Sequence, residues 1–155
     1  MAVLAAGARA PDFILRDLHG AETSLASLLA GGQLLLVFFK ISCPTCQFSL
    51  PFLDRIADGG RLNILGISQD EPRSTESFRS SFGVKFPTLT DEPRTYPASN
   101  AYGISSVPSL FLIGDNGLIT WSGDGFSRRD FAELGRRAGV NPFREGERIP
   151  EYKPG

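Results

Sequence analysis

Two stretches of this chain, residues 34–39 and 62–68, are almost wholly apolar and have the length of a strand. Continuous apolar runs of this kind are typical of strands that are covered on both faces of a sheet. Between them, apolar residues recur at helical spacing, which predicts an amphipathic helix over residues 47–58 that ends at Gly59. The stripe on one face of this helix consists of Cys46, Leu50, Leu53 and Ala57, widened by Phe52 and Ile56.

The rest of the chain alternates in the same way between strand and helix patterns. Residues 12–23 predict a hairpin that turns at a glycine, and residues 109–122 predict a second hairpin around Asn116-Gly117. The other predicted elements are short helices over 25–30 and 99–102, a helix that carries Phe78 and Phe82 and is capped by Asp70 or a neighbour, an edge strand over 86–90, and a last helix from Ser127 to about Ala138. Their order predicts a mixed sheet with helices on both faces.

Composition and charge narrow the class of protein. The chain has 155 residues, of which 41% are hydrophobic and 21% charged, and its net charge is -1. This balance argues against a nucleic-acid-binding stripe and against a membrane-binding surface. The length predicts a single domain over residues 1–155. Its core is expected at about 8–140, and a loosely packed tail is expected over 141–155, where Pro, Gly and charged residues concentrate. We expect a monomer.

The start of the chain bears on the cellular compartment. Residues 1–9 lack the basic segment and the long apolar run of a signal peptide. No apolar run in the sequence has the length of a membrane span. We therefore expect a cytoplasmic protein. A periplasmic or other extracytoplasmic location is the alternative, if a signal segment has been removed.

Cys43 and Cys46 are the only cysteines, and they lie between the strand 34–39 and the helix 47–58. At this spacing the two thiols can cycle between a dithiol and a small disulfide ring. A bridge over so short a loop adds little stability. Zinc is disfavoured because its structural sites use four ligands, and the chain offers two cysteines and His19. The pattern therefore favours redox chemistry over a structural bridge or a pair of buried apolar side chains.

Position within the motif distinguishes the two thiols. Cys43 precedes the helix, where unpaired backbone N–H groups and the helix dipole favour a thiolate. It is therefore the predicted nucleophile. Cys46 is the predicted resolving thiol, which attacks the mixed disulfide that Cys43 forms with a substrate.

Four stretches occur in an order that one family shares. They are Ala10-Pro11-Asp12-Phe13 with Leu18 and Gly20; Cys43-Pro44-Thr45-Cys46 with Pro51; Gly66-Ile67-Ser68-Gln69-Asp70 with the segment 82–87; and the segment 102–109, which contains Val107-Pro108. On these residues the chain resembles thioredoxin-fold proteins of the TlpA/ResA-like or redoxin (AhpC/TSA-like) group, over roughly residues 8–138. The resemblance implies an α/β, thioredoxin-like three-layer fold, with a central mixed β-sheet flanked by helices, an N-terminal hairpin and a TlpA-like insertion.

The same resemblance implies a function and a set of site residues. It implies a thiol-disulfide oxidoreductase whose Cys-Pro-Thr-Cys couple reduces or oxidises protein disulfides, with an upstream thiol reductant as second partner. It implies no cofactor beyond the redox-active disulfide, and no metal. Pro44, Thr45, Val107 and Pro108 are expected to bind substrate, with Pro108 in the cis form and the backbone of Val107 facing an extended substrate segment.

The chain departs from the family pattern at three positions. Ser42 stands where thioredoxin-like sequences usually have Trp. Val37 and Ser49 stand where members of the group place acidic residues, so the resemblance assigns no proton acceptor to Cys46.

Two alternative functions stay open. The segment around Cys43-Pro44-Thr45 resembles the motif of peroxiredoxin-like thiol peroxidases, but their Pro-x-x-x-Thr/Ser-x-x-Cys frame is missing, because Leu36 and Lys40 occupy its first two positions. The second alternative is a redox-switched binding module in which the disulfide changes only the conformation.

Overall fold

The computed structural model describes residues 3–155, which form nine strands and five helices in that part of the chain. The strands are β1 (Ile14–Asp17), β2 (Glu22–Ser24), β3 (Leu34–Phe39), β4 (Asn63–Ser68), β5 (Thr88–Thr90), β6 (Ser109–Ile113), β7 (Ile119–Asp124), β8 (Phe126–Ser127) and β9 (Tyr152–Lys153). The helices are α1 (Leu25–Leu29), α2 (Pro44–Asp58), α3 (Pro72–Phe82), α4 (Pro97–Ala101) and α5 (Arg128–Ala138).

Seven strands form the main sheet, in the order β2-β1-β5-β4-β3-β6-β7. Strands β3, β4 and β5 run parallel to one another, whereas β6 and β7 continue the sheet in antiparallel fashion on one side and β1 and β2 on the other. The mixed sheet predicted from the order of the elements is therefore confirmed.

Strand β3 is buried along its whole length because it has a strand on each side and a hydrophobic core on each face. Successive side chains of a strand point to opposite faces, so alternate residues of β3 enter different cores. The first core receives Leu35, Val37 and Phe39. The second receives Leu34, Leu36 and Phe38. This explains why the run lacks the polar alternation of a half-exposed strand.

The predicted edge position of β5 is wrong. This strand lies between β4 and β1. The N-terminal hairpin pairs with the edge of β5 that faces away from β4, and Arg16 of β1 lies opposite Thr90. Pro87 precedes the strand and removes no donor from its ladder; its carbonyl accepts a hydrogen bond from the Gly66 amide at 2.9 Å.

The segment 141–155 differs from the loose tail expected from its composition. Phe143 and Ile149 pack against the first core, and β9 forms a two-stranded sheet with β8. Arg55 of α2 holds the segment from the other side, because its guanidinium bonds both carboxylate oxygens of Glu147 at 2.8 and 2.9 Å. A composition rich in Pro, Gly and charge predicts irregular backbone, and these specific partners fix that backbone in place.

We expect Glu147→Gln to lower the melting temperature at neutral pH. The Arg55 hydrogen bonds, helped by the Arg144 amide, lower the pKa of Glu147 from 4.5 to about 2. A lowered native pKa means that the stabilisation is complete above about 4.5 and is lost as pH falls through about 2. Thermal unfolding of both chains should therefore show a difference at pH 7 that shrinks toward pH 2. Glu145→Gln, an equal charge change at an exposed neighbour, serves as the control. A difference independent of pH would contradict the ion-pair explanation.

Candidate active site

Cys43 is the N-cap of α2, which begins at Pro44 rather than at residue 47 as the spacing predicts. Its backbone is extended, with φ -82° and ψ 116°, and its sulfur accepts a hydrogen bond from the Cys46 amide at 3.1 Å. Proline suits the first helical position because it lacks the N–H that would otherwise go unpaired there. The first turn of α2 therefore directs a backbone donor and the helix dipole toward this sulfur, an arrangement that stabilises a thiolate.

Cys46 lies beneath Cys43 and is wholly buried in the first core, whereas Cys43 is partly exposed. Burial raises the pKa of the Cys46 thiol far above its ordinary value, and the hydrogen bond with Cys43 acts in the same direction. Both thiols are free, so the structure represents the dithiol state. The two sulfurs thus differ in access to solvent.

The Val107–Pro108 peptide bond is cis and lies beside Cys43. The Cys43 thiol donates a hydrogen bond to the Val107 carbonyl at 3.4 Å. Pairing of β3 with β6 produces this approach, because Phe38 lies opposite Ser109. The loop that follows β3 and the loop that precedes β6 consequently meet at one edge of the sheet.

The remaining two predicted site residues flank the thiols. Pro44 is exposed at the start of α2, whereas Thr45 is only 7% exposed. The Thr45 hydroxyl donates a hydrogen bond to the carbonyl of Pro154 at 2.6 Å. All six predicted site residues therefore lie together, and one of them already has a partner from the end of the described chain.

Asp70 belongs to this site, although its sequence position suggested only a charge that caps α3. The N-cap of α3 is Glu71, which makes no side-chain capping bond. Asp70 instead accepts a hydrogen bond from the Ile41 amide at 2.8 Å, and its negative charge contributes to the raised pKa of Cys46. A topological signal was available, because Asp70 directly follows β4, whose end lies beside the loop after its parallel neighbour β3.

Gln47 completes the support of that loop, and sequence reasoning did not single it out. Its side-chain amide donates to the Ile41 carbonyl at 2.9 Å, while Asp70 holds the amide of the same residue. The backbone just before Cys43 is therefore fixed on both sides by side-chain hydrogen bonds.

The structure locates the three positions at which the chain departs from the family pattern. Val37 lies within the first core, and Ser42 is exposed beside Cys43. Ser49 is wholly buried, and among residues 3–155 its hydroxyl has no hydrogen-bond partner. Neither Val37 nor Ser49 supplies a charge, so the carboxylate that affects Cys46 comes from the end of β4.

The described part of the chain lacks two features of other protein classes. Within residues 3–155, no three His, Cys, Asp or Glu side chains lie close enough together to hold a metal ion. Among the helices formed by these residues, none is both long and apolar enough to cross a membrane.

A sheet with thioredoxin-like topology and a Cys-x-x-Cys pair at the start of a helix define the class: thioredoxin-fold redox proteins. The chain belongs to the AhpC/TSA family, whose sequence model matches residues 6–122. The resemblance inferred from the ordered motifs is thereby confirmed.

Two relatives of known sequence are named as redox proteins. The chain is 34% identical over 120 residues to the thiol-disulfide oxidoreductase ResA of Geobacillus thermodenitrificans, a match that covers 75% of this chain and 67% of that protein. It is 33% identical over 131 residues to a putative peroxiredoxin of Mycobacterium tuberculosis, covering 75% and 82%.

Solved structures agree on the fold. The structure of a putative protein disulfide isomerase from Bacteroides thetaiotaomicron superposes with a TM-score of 0.77 at 24% identity, and the match covers 90% of this chain and 92% of that one. At this identity the similarity concerns the fold alone, and it confirms the predicted thioredoxin-like architecture.

We expect Asp70→Asn to lower the pKa of the Cys46 thiol. Asparagine removes the negative charge but keeps a side-chain oxygen that can accept from the Ile41 amide. The thiolate absorbance of Cys46, measured in a Cys43→Ser background at a fixed alkaline pH, should therefore increase. Glu71→Gln removes the same charge from the exposed neighbouring residue and should have a smaller effect. Equal effects of the two substitutions would show that Asp70 has no special relation to the thiol.

Proposed function

We propose that this protein is a thiol-disulfide oxidoreductase that exchanges electrons between its Cys43–Cys46 pair and disulfides of protein substrates. The observation that carries the proposal is the pairing of a partly exposed thiol at a helix N-cap with a fully buried thiol three residues later. The relatives named as thiol-disulfide oxidoreductases support the same chemistry.

In the first step, the Cys43 thiolate attacks one sulfur of a substrate disulfide. A Cys43–substrate disulfide forms, the substrate S–S bond breaks, and the second substrate sulfur leaves as a thiolate that takes up a proton. The Cys46 amide and the helix dipole at the start of α2 favour the attacking thiolate. The Val107 carbonyl lies next to this sulfur and marks the side on which an extended substrate segment would pair.

In the second step, the Cys46 sulfur attacks Cys43, which releases the reduced substrate and leaves an oxidised Cys43–Cys46 pair. Cys46 must lose its proton for this attack, and burial holds its pKa high. We propose Asp70 as the proton acceptor, because its carboxylate is held at the loop before Cys43 by the Ile41 amide at 2.8 Å and its charge adds to the effect of burial on the pKa of Cys46. Two electrons pass from the protein to the substrate, and an upstream thiol reductant restores the dithiol. Reversal of both steps would oxidise a substrate dithiol.

Two single substitutions test the roles of the thiols with dithiothreitol as reductant and insulin as the disulfide substrate. Cys43→Ser should reduce the rate to that of dithiothreitol alone, because the nucleophile is lost. Cys46→Ser should accumulate a mixed disulfide with the substrate, because the resolving attack is lost. Mass spectrometry without reductant detects that adduct. Activity that survives Cys43→Ser would contradict the assignment of the nucleophile.

A thiol peroxidase is the second candidate, favoured by the 33% identity to a putative peroxiredoxin. The structure offers little support for its peroxide-binding frame. Leu36 is buried in the second core, and the Lys40 ammonium lies 3.5 Å from the Tyr96 hydroxyl. Consumption of hydrogen peroxide with a thiol donor, without reduction of insulin, would favour this candidate over the first.

A further inference from the structure

Residues 151–155, which we call the strap, lie across the candidate active site. The strap pairs with β8 on its way to the site, and neither its composition nor its position in sequence indicated this placement. It contacts the edge of the small sheet, the first turn of α2 and the cis-proline loop. The last two of these surfaces contact the Cys43 sulfur.

Backbone pairing fixes the course of the strap. Lys153 lies opposite Phe126 and Tyr152 lies opposite Ser127 in the antiparallel β8–β9 pair, and the Arg128 amide donates to the Glu151 carbonyl at 3.0 Å. The strap is thus an added strand, held by main-chain hydrogen bonds of the kind that bind extended peptides to a sheet edge.

Side chains of α2 hold the next part of the strap. The Thr45 hydroxyl donates to the Pro154 carbonyl at 2.6 Å, and the Lys153 ammonium lies 5.3 Å from the centre of the Phe48 ring. A cation over an aromatic face is attracted to it. Thr45, predicted from the family resemblance to bind substrate, is therefore engaged by the chain itself.

Gly155 reaches the cis-proline loop. A β-carbon at this position would lie 2.7 Å from the carbonyl carbon of Val107 and would collide with its oxygen. That oxygen is also the acceptor of the Cys43 thiol. The strap therefore contacts the backbone group beside which an extended substrate would pair, one hydrogen bond away from the nucleophile.

We propose that the strap occupies the groove in which a protein substrate binds, so that such a substrate must displace it to bring a disulfide to Cys43. This inference rests on the proposed oxidoreductase function. A substrate that replaces the strap would make the same contacts. The groove therefore favours an extended polypeptide whose carbonyl accepts a hydrogen bond from the Thr45 hydroxyl and which has a small residue beside Val107. A small disulfide needs none of these contacts and reaches the partly exposed Cys43 with the strap in place.

The strap is built to be displaced rather than to form part of the core. Four of its five residues are exposed, and its pairing with β8 spans only two residues. The firm attachment of the C-terminal segment lies further back, at Phe143, Ile149 and the Arg55–Glu147 ion pair. The chain can therefore release the strap without unfolding the segment that leads to it.

A chain that ends at Pro150 tests this directly. Its kcat/KM for insulin should rise several-fold over that of the full chain, whereas its kcat/KM for a small aromatic disulfide should stay the same. A synthetic peptide with the sequence of residues 151–155 should inhibit the shortened chain competitively, and a scrambled peptide should not. Equal kcat/KM values for insulin in the two chains would overturn the proposal.

Two substitutions provide a matched comparison in the chain that retains the strap. Gly155→Val introduces a side chain that meets the Val107 carbonyl, so it should shift kcat/KM for insulin in the same direction as the truncation. Glu145→Gln alters an exposed side chain outside the strap, so it should behave as the unaltered chain. Identical values for the two variants would contradict the proposed contact at Val107.

Alkylation separates this proposal from the proposed function. A bulky polymer-linked maleimide should modify Cys43 faster in the chain that ends at Pro150 than in the full chain, and iodoacetamide should show a smaller difference. If neither chain reduces insulin, the oxidoreductase function fails, but the alkylation rates still report on the strap. Equal rates with the bulky reagent would show that the strap does not cover the thiol.

Discussion

The pairing of β3 with β6 is the constraint on which the site depends. It places Phe38 opposite Ser109, so that the loop carrying Cys43 and the loop carrying Val107 meet at one edge of the sheet although they are 64 positions apart. The register is strongly specified because β3 is buried on both faces. A slip by one residue would exchange the side chains that belong to the two cores. The apolar run that first identified this strand thus also fixes the geometry of the thiols.

The helix that follows β3 creates the difference between the two sulfurs. Its first turn directs the Cys46 amide to the partly exposed Cys43 sulfur, while the stripe that anchors α2 in the first core carries the Cys46 side chain inward. Burial then raises the pKa of the inner thiol, and the charge of Asp70 adds to that effect. One amphipathic pattern therefore accounts for both the packing of α2 and the unequal chemistry of its cysteines.

Local patterns predicted most of this arrangement, and non-local contacts account for the rest. Apolar periodicity located β3 and α2, and motif order located Cys43, Cys46 and Val107-Pro108, because each signal lies within one short stretch. The inner position of β5 depends on which strand pairs with its free side, and no local pattern encodes that choice. Asp70 precedes a helix and therefore resembled a capping residue. Its actual partner, the Ile41 amide, lies 29 positions away and leaves no signal in the local sequence.

The strap depends on the most distant contact in sequence of those discussed, since Thr45 and the Pro154 carbonyl that it bonds are 109 positions apart. An added strand on β8 has a structural role of its own, because an uncovered strand edge presents unpaired N–H and C=O groups to other chains. Edge protection alone, however, requires only the pairing along β8. The further contacts at Thr45 and Val107 extend the strap past that edge and onto the surface beside Cys43. A segment that merely protected the sheet would have no need of these contacts, whereas a segment that competes with substrate must make them.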